Sequence, residues 1–121
     1  MQTAMEKKVQ LSWYLAFYGE MLTENQREIA HLYFEEDYSL AEIAQQLSVS
    51  RQSIHDTVNR VEKTLTEFEN KLGLATRFER LETGLKKCSE LLGKIESKGE
   101  SAMHLQKVKD MISALLAQED M

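Results

Sequence analysis

The chain of 121 residues contains no proline, one cysteine and only five glycines. Without proline the usual helix breaker is missing, and so little glycine leaves few of the turns that sheet proteins need, so an all-α fold is expected. The single cysteine, Cys88, cannot form an intrachain bridge, and a chain without paired cysteines suits a reducing compartment, which makes the cytoplasm the expected location. Basic charge is also short. Fifteen lysines and arginines against twenty acids give a net charge of −5 and a pI near 5.2, so no global field attracts nucleic acid or anionic membrane, and any nucleic-acid contact has to be local. Long apolar runs are absent as well: residues 11–22 are interrupted by Ser12, Gly19 and Glu20, which excludes a membrane span or a signal core. A chain of this size hides about two-thirds of its unfolded surface and needs no metal or disulfide staple. One core is expected, with no linker long enough to divide the chain.

What is present is helical periodicity. Leu11, Tyr14, Leu15, Tyr18 and Leu22 share one face, widened by Trp13 and Phe17, and predict a first helix ending near Gly19. Thr23 with Gln26 reads as a capping box that starts a second helix carrying Ile29, Leu32 and Tyr33, and the acidic run Glu35, Glu36, Asp37 marks a loop. Ser39 with Glu42 forms another box before Leu40, Ile43, Ala44 and Leu47, a short third helix. Ser50 caps a long fourth helix with the stripe Ile54, Val58, Val61, Leu65, Phe68 and Leu72, which stops at Gly73. Beyond it, Phe78, Leu81, Leu85, Cys88, Leu92 and Ile95 make a heptad seam. Residues 97–101 break it, and Leu105, Val108, Ile112 and Leu115 resume it as the second arm of a hairpin. The first dozen residues and the last four are expected to fray.

The spacing over residues 39–65, a short capped helix, a brief turn and a second capped helix, is that of a helix-turn-helix. Ala44 lets two helices approach steeply, and Val49 and Ile54 are expected to plug the corner between them. In a nucleic-acid reading, the early turns of the fourth helix enter the major groove with Arg51, Gln52, Ser53, His55 and Asp56, none of which the core needs. Arg51 is placed to grip guanine or phosphate and Gln52 to read adenine, while Asn59, Arg60 and Lys63 hold the backbone one to two turns later. The other reading is a solvated helix face. Asp56 supports it, because a carboxylate repels phosphates unless it accepts from a cytosine amino group. Residues 39–65 carry as many acids as bases, so a monomer binds DNA weakly, and the heptads are expected to supply a homodimer.

Residues 22–65, with their LxxxQR opening, the S-xx-EIA-xx-L helix and the V-S-x-x-x-I turn, resemble region four of bacterial sigma factors. Arg51 keeps the arginine that opens the recognition helix there. Gln52 stands where glutamate is frequent, Ser53 at a basic position, and His55 and Asp56 where arginine and glutamine are common. These departures fall on the promoter-reading positions, and core-polymerase function is not implied. Over nearly its full length, including WYLAFYGEMLTENQ and the later ENKLGL, the sequence is similar to the YlxM family of small bacterial proteins. That resemblance implies a sigma region-four-like bundle with a C-terminal helical hairpin or coiled-coil extension. It also implies a regulatory role in the signal recognition particle pathway, through the particle's RNA or its GTPase.

The remaining candidates carry less. Cys88 on the heptad seam is expected to be a buried small hydrophobe, and His31, His55 and His104 fall on different elements without the i, i+4 spacing of a zinc helix. No Gly-rich phosphate loop and no Ser, His and Asp cluster appears, so an enzyme, a cofactor, a metal and a small-molecule substrate are not expected. The aromatic residues of the first third are expected in the core, and the mixed charges of the tail on a solvated coiled surface. The expected division is residues 1–73, a bundle containing the helix-turn-helix, and residues 74–121, heptad helices in the same compact domain or forming a dimerisation arm. Two functions remain: a dimeric regulator binding DNA or the particle's RNA, without membrane contact, and an adaptor that binds the particle's GTPase.

Overall fold

Local hydrogen bonds decide where each N-terminal helix begins. A computed structural model gives the structure over residues 2–117. Helix α1 (Ala4–Tyr18) opens on a capping box in which the Glu6 N–H donates to Thr3 Oγ1 at 3.1 Å and the Thr3 N–H to the Glu6 carboxylate at 3.0 Å. Helical order therefore starts at Ala4, not after the first dozen residues; the expected fraying of the last four lies outside the described residues. Helix α2 (Glu24–Ala30) is capped by Thr23 and Gln26 and continues as a π turn over His31–Glu35. It ends at Asp37, whose positive φ of 60° lets the Tyr38 N–H return to the Leu32 carbonyl at 2.9 Å. Ser39 and Glu42 box the start of α3 (Leu40–Leu47).

The turn into α4 (Arg51–Leu72) depends on Ser48, which adopts the left-handed conformation and sends its N–H back to α3, while the Val49 N–H reaches the Ala44 carbonyl at 3.0 Å. Ser50 Oγ then accepts from the Ser53 N–H at 3.0 Å. At 22 residues α4 is about 33 Å long. It is the spine of the first compact unit, Met1–Ala75, in which α1, α2 and α3 all pack on its Ile54, Val58, Val61 and Leu65 stripe. Ile43, Ala44 and Ile54 close the α3–α4 corner. Val49 does not; it remains 46% exposed because the left-handed Ser48 turns the chain outward before it. Leu72 is likewise 53% exposed at the end of the stripe, beside Gly73, whose φ of 62° stops the helix.

A buried polar knot holds the C-terminal ends of α1 and α4. Tyr18 donates its hydroxyl to Glu69 Oε1 at 2.6 Å, the Ala75 N–H donates to the same oxygen at 3.0 Å, and the Leu74 N–H donates to the Tyr18 hydroxyl at 3.1 Å. Glu69 is thus a buried carboxylate that accepts from the backbone at the start of α5 (Leu74–Gly93), which is what makes its burial tolerable. Burial first, then the Glu69 carboxylate, pushes the Tyr18 phenol above its ordinary pKa.

The second compact unit, Thr76–Met121, holds the rest of α5 and α6 (Glu100–Ala117). The seam expected on α5 divides here. Phe78, Leu85 and Leu92 are half-buried, whereas Leu81, Cys88 and Ile95 are exposed, so Cys88 is not the buried hydrophobe its spacing suggests. On α6, Ile112 is buried and Leu105 half-buried, while Val108 and Leu115 are exposed. Along α5 only one of the two apolar positions of each heptad is covered, so the other stays in water.

Candidate nucleic-acid interface

All eight residues singled out on the fourth helix are exposed on α4: Arg51, Gln52, Ser53, His55, Asp56, Asn59, Arg60 and Lys63. The reason is the stripe. With Ile54, Val58, Val61 and Leu65 turned inward, positions 52, 56, 59 and 63 recur at i, i+4, i+7 and i+11 on the opposite side. Arg51 and His55 flank that row on one side, Ser53 and Arg60 on the other. Their side chains are organised: Gln52 donates to Asp56 Oδ1 at 3.0 Å, and Asn59 Nδ2 meets His55 Nδ1 at 3.5 Å. His55 Nδ1 also lies 3.8 Å from Asp56 Oδ1. Ser53 uses its backbone at both ends, the N–H on Ser50 and the carbonyl accepting from Thr57 Oγ1 at 3.0 Å.

Charge counting along residues 39–65 gives neutrality, but the fold separates those charges. Glu42 is held in the α3 capping box, where bonds from the Ser39 N–H and the Ser39 hydroxyl environment keep its carboxyl below the usual range. Glu62 pairs with Lys7 of α1. Over residues 51–63 the outward side of α4 is left with Arg51, Arg60 and Lys63 against Asp56, with Glu67 one turn further on, and among the described residues none of the three cations has an ion-pair or hydrogen-bond partner. The helix end agrees. The first turns of α1, α2 and α3 hold Glu6, Glu24 and Glu42, whereas the first turn of α4 has no acid, so no carboxylate there offsets its positive dipole end beside Arg51. Sequence reasoning missed Gln45 and Gln46, exposed in the last turn of α3 next to the turn; as the polar positions beside Leu47 they were legible.

A family model described as "Putative helix-turn-helix protein, YlxM / p13 like" matches residues 5–112. The chain belongs to this family, UPF0122. A UPF0122 protein of Desulforamulus reducens is 44% identical over 100 residues, covering 83% of this chain and 85% of the relative. A UPF0122 protein of Clostridium kluyveri is 38% identical over 108 residues, covering 89% and 96%, and one of Halalkalibacterium halodurans is 38% identical over 90 residues, covering 74% and 83%. The UPF0122 match takes in the whole of α2, α3, α4 and α5, so the α3–α4 pair lies inside the matched segment. Among the described residues no helix is long and apolar enough to cross a membrane.

Proposed function

We propose that this chain is a regulatory protein that binds nucleic acid through the outward side of α4. The observation that carries this reading is the separation of charge: Glu42 and Glu62 are engaged elsewhere, leaving three unpartnered cations and an acid-free helix end on one exposed side. An α-helix about 10–12 Å across fits the B-DNA major groove, about 12 Å wide, but not the narrow major groove of A-form RNA. Duplex DNA is therefore the favoured target, and the signal recognition particle's RNA would be read in its loops. Arg51 meets guanine or phosphate, and Gln52, steadied by Asp56, presents its free amide atoms to a base. Asn59, Arg60 and Lys63 hold the backbone, with Gln45 and Gln46 of α3 beside it.

Three cations give a salt slope of about −3 per subunit, too shallow for tight binding alone, so two copies acting together belong to the proposal. The exposed Val108, Met111 and Leu115 of α6, flanked by Lys107 and Asp110, offer a self-complementary contact for a second copy. A place in the signal recognition particle pathway is part of the same proposal, and no catalytic step belongs to it. One observation favours the adaptor reading instead: Asp56 stands in the middle of the face and repels phosphate.

Titration against duplex DNA, the particle's RNA and its GTPase at two salt concentrations tests these readings. Nucleic-acid binding that weakens with salt and is lost in Arg51→Ala/Arg60→Ala supports the first. Unchanged affinity in that variant overturns it, and GTPase capture that survives nuclease treatment supports the adaptor.

A further inference from the structure

Helix α5 carries an apolar row that its own fold leaves in water. Leu81, Gly84, Cys88, Leu91 and Ile95 follow one another at alternating spacings of three and four, the two-per-heptad pattern of a helix seam. Leu81, Leu91 and Ile95 are 56%, 50% and 51% exposed, and Cys88 is exposed between them. The Ile95 N–H still bonds to the Leu92 carbonyl at 3.2 Å, so the helical turn carries the row to its last member. Gly84 is the informative position. A glycine in an exposed helix interior costs about 1 kcal/mol relative to alanine. Among the described residues, and apart from its chain neighbours and its own helix backbone, no atom comes within 4 Å of where its Cβ would stand, so Gly84 leaves open space into which another helix can approach closely.

The flanks identify the visitor. Arg80, Lys87 and Lys94 each immediately precede a member of the row, forming a cationic line at seven-residue spacing along one edge. Among the described residues none of the three has an ion-pair partner; Glu90 lies beyond Lys87 and Lys94 and pairs with neither, and Glu82 is bonded to Lys86 at 2.6 Å. The other edge is Leu85 and Leu92, both half-buried. From this arrangement we propose that the exposed row of α5 is a docking face for an acidic amphipathic helix of another protein, with apolar residues on the row and carboxylates along Arg80, Lys87 and Lys94.

A second copy fits less well. Two α5 helices paired antiparallel set the cationic line against itself, and paired parallel set it against leucines, so no carboxylate meets it either way. The acidic helix α2, with Glu24 and Glu28, has no free apolar face to offer, since its Ile29 and Ala30 are buried within the first unit. The inference does not rest on nucleic-acid binding, since α4 contributes none of these residues.

Cys88, the sole cysteine, sits in the middle of the row and reports its occupancy through its rate of labelling by a thiol reagent. The probe is a synthetic peptide of about four heptads with leucine at a and d and glutamate at e and g, compared with a twin carrying lysine at e and g. Added to the full chain, the glutamate peptide should slow Cys88 labelling, with an affinity about tenfold above that of the lysine twin, each flanking pair contributing a few-fold. Arg80→Glu/Lys87→Glu/Lys94→Glu should reverse the preference, with helicity by circular dichroism as the check on folding, and Leu81→Gln/Leu91→Gln should abolish protection by either peptide. Equal protection by both peptides, or by neither, overturns the proposal. So does protection that rises with protein concentration in the absence of peptide, which identifies a second copy as the occupant. Arg51→Ala/Arg60→Ala/Lys63→Ala should leave the protection unchanged, so the two functional readings fail separately.

Discussion

Replacing Tyr18 by phenylalanine tests whether the buried knot, rather than apolar packing alone, fastens the end of the first unit. The ring and its stacking on Phe68, with centroids 5.7 Å apart, survive the change. What is lost is the 2.6 Å hydrogen bond to a buried carboxylate and the acceptor for the Leu74 N–H. A hydrogen bond to a charged group contributes about 1.5–3 kcal/mol, and a part-buried N–H left unsatisfied adds about 1 kcal/mol, so the expected loss is about 2–4 kcal/mol. Urea unfolding followed by circular dichroism should show the midpoint falling by roughly 1–2 M with the slope unchanged. Tyr38→Phe is the control: Tyr38 is half-buried against the core, and among the described residues its hydroxyl makes no hydrogen bond. A loss for Tyr18→Phe no larger than that of the control would refute the reasoning. The titration gives an independent check. Because Tyr18 is held above its ordinary pKa, the folded chain keeps the proton more strongly than the unfolded one, so this contribution is complete below pH 10 and declines as pH rises beyond it. Tyr18→Phe should remove that alkaline dependence.

On the acid side the sign reverses. Glu42 is held below 4.5, chiefly by the Ser39 backbone N–H, so its contribution is present above that pH and fades as pH falls through the lowered value; Glu42→Gln should flatten the acid limb of a stability profile, whereas Ser39→Ala, which keeps that N–H, should weaken α3 and leave most of the acid dependence in place. Gly73→Ala places a Cβ at a φ of 62° and should cost about 1–2 kcal/mol in the same urea assay without changing nucleic-acid affinity. Asp56→Asn removes the carboxylate that stands among the proposed base-reading positions of α4. Relieving repulsion worth about 0.5 kcal/mol from each of two phosphates at about 8 Å should tighten binding roughly fivefold in a fluorescence titration, and weaker binding would show that Asp56 itself accepts from a base.

Much of this architecture was legible along the chain because the interactions that set it are local. The boxes at Thr23 and Ser39, the Ser50 cap, the stop at Gly73 and the inward stripe of α4 each involve residues within a few positions of one another, and the structure shows them where the pattern places them. The stripe alone was enough to put Arg51, Gln52, Asn59 and Lys63 outside, since an inward side implies an outward one. What periodicity could not supply is the identity of partners distant in sequence. The pairing of Lys7 with Glu62 frees the α4 side of a carboxylate that a charge count includes, and the bond from Tyr18 to Glu69 joins positions 51 residues apart. The heptads of α5 show the same limit: spacing names the apolar positions, but only packing decides that Phe78, Leu85 and Leu92 turn partly inward while Leu81, Cys88 and Ile95 remain in water. Sequence determines the helices and their faces because those depend on neighbours a turn apart. The tertiary structure decides which charges and apolar rows are left over, because that depends on which faces meet.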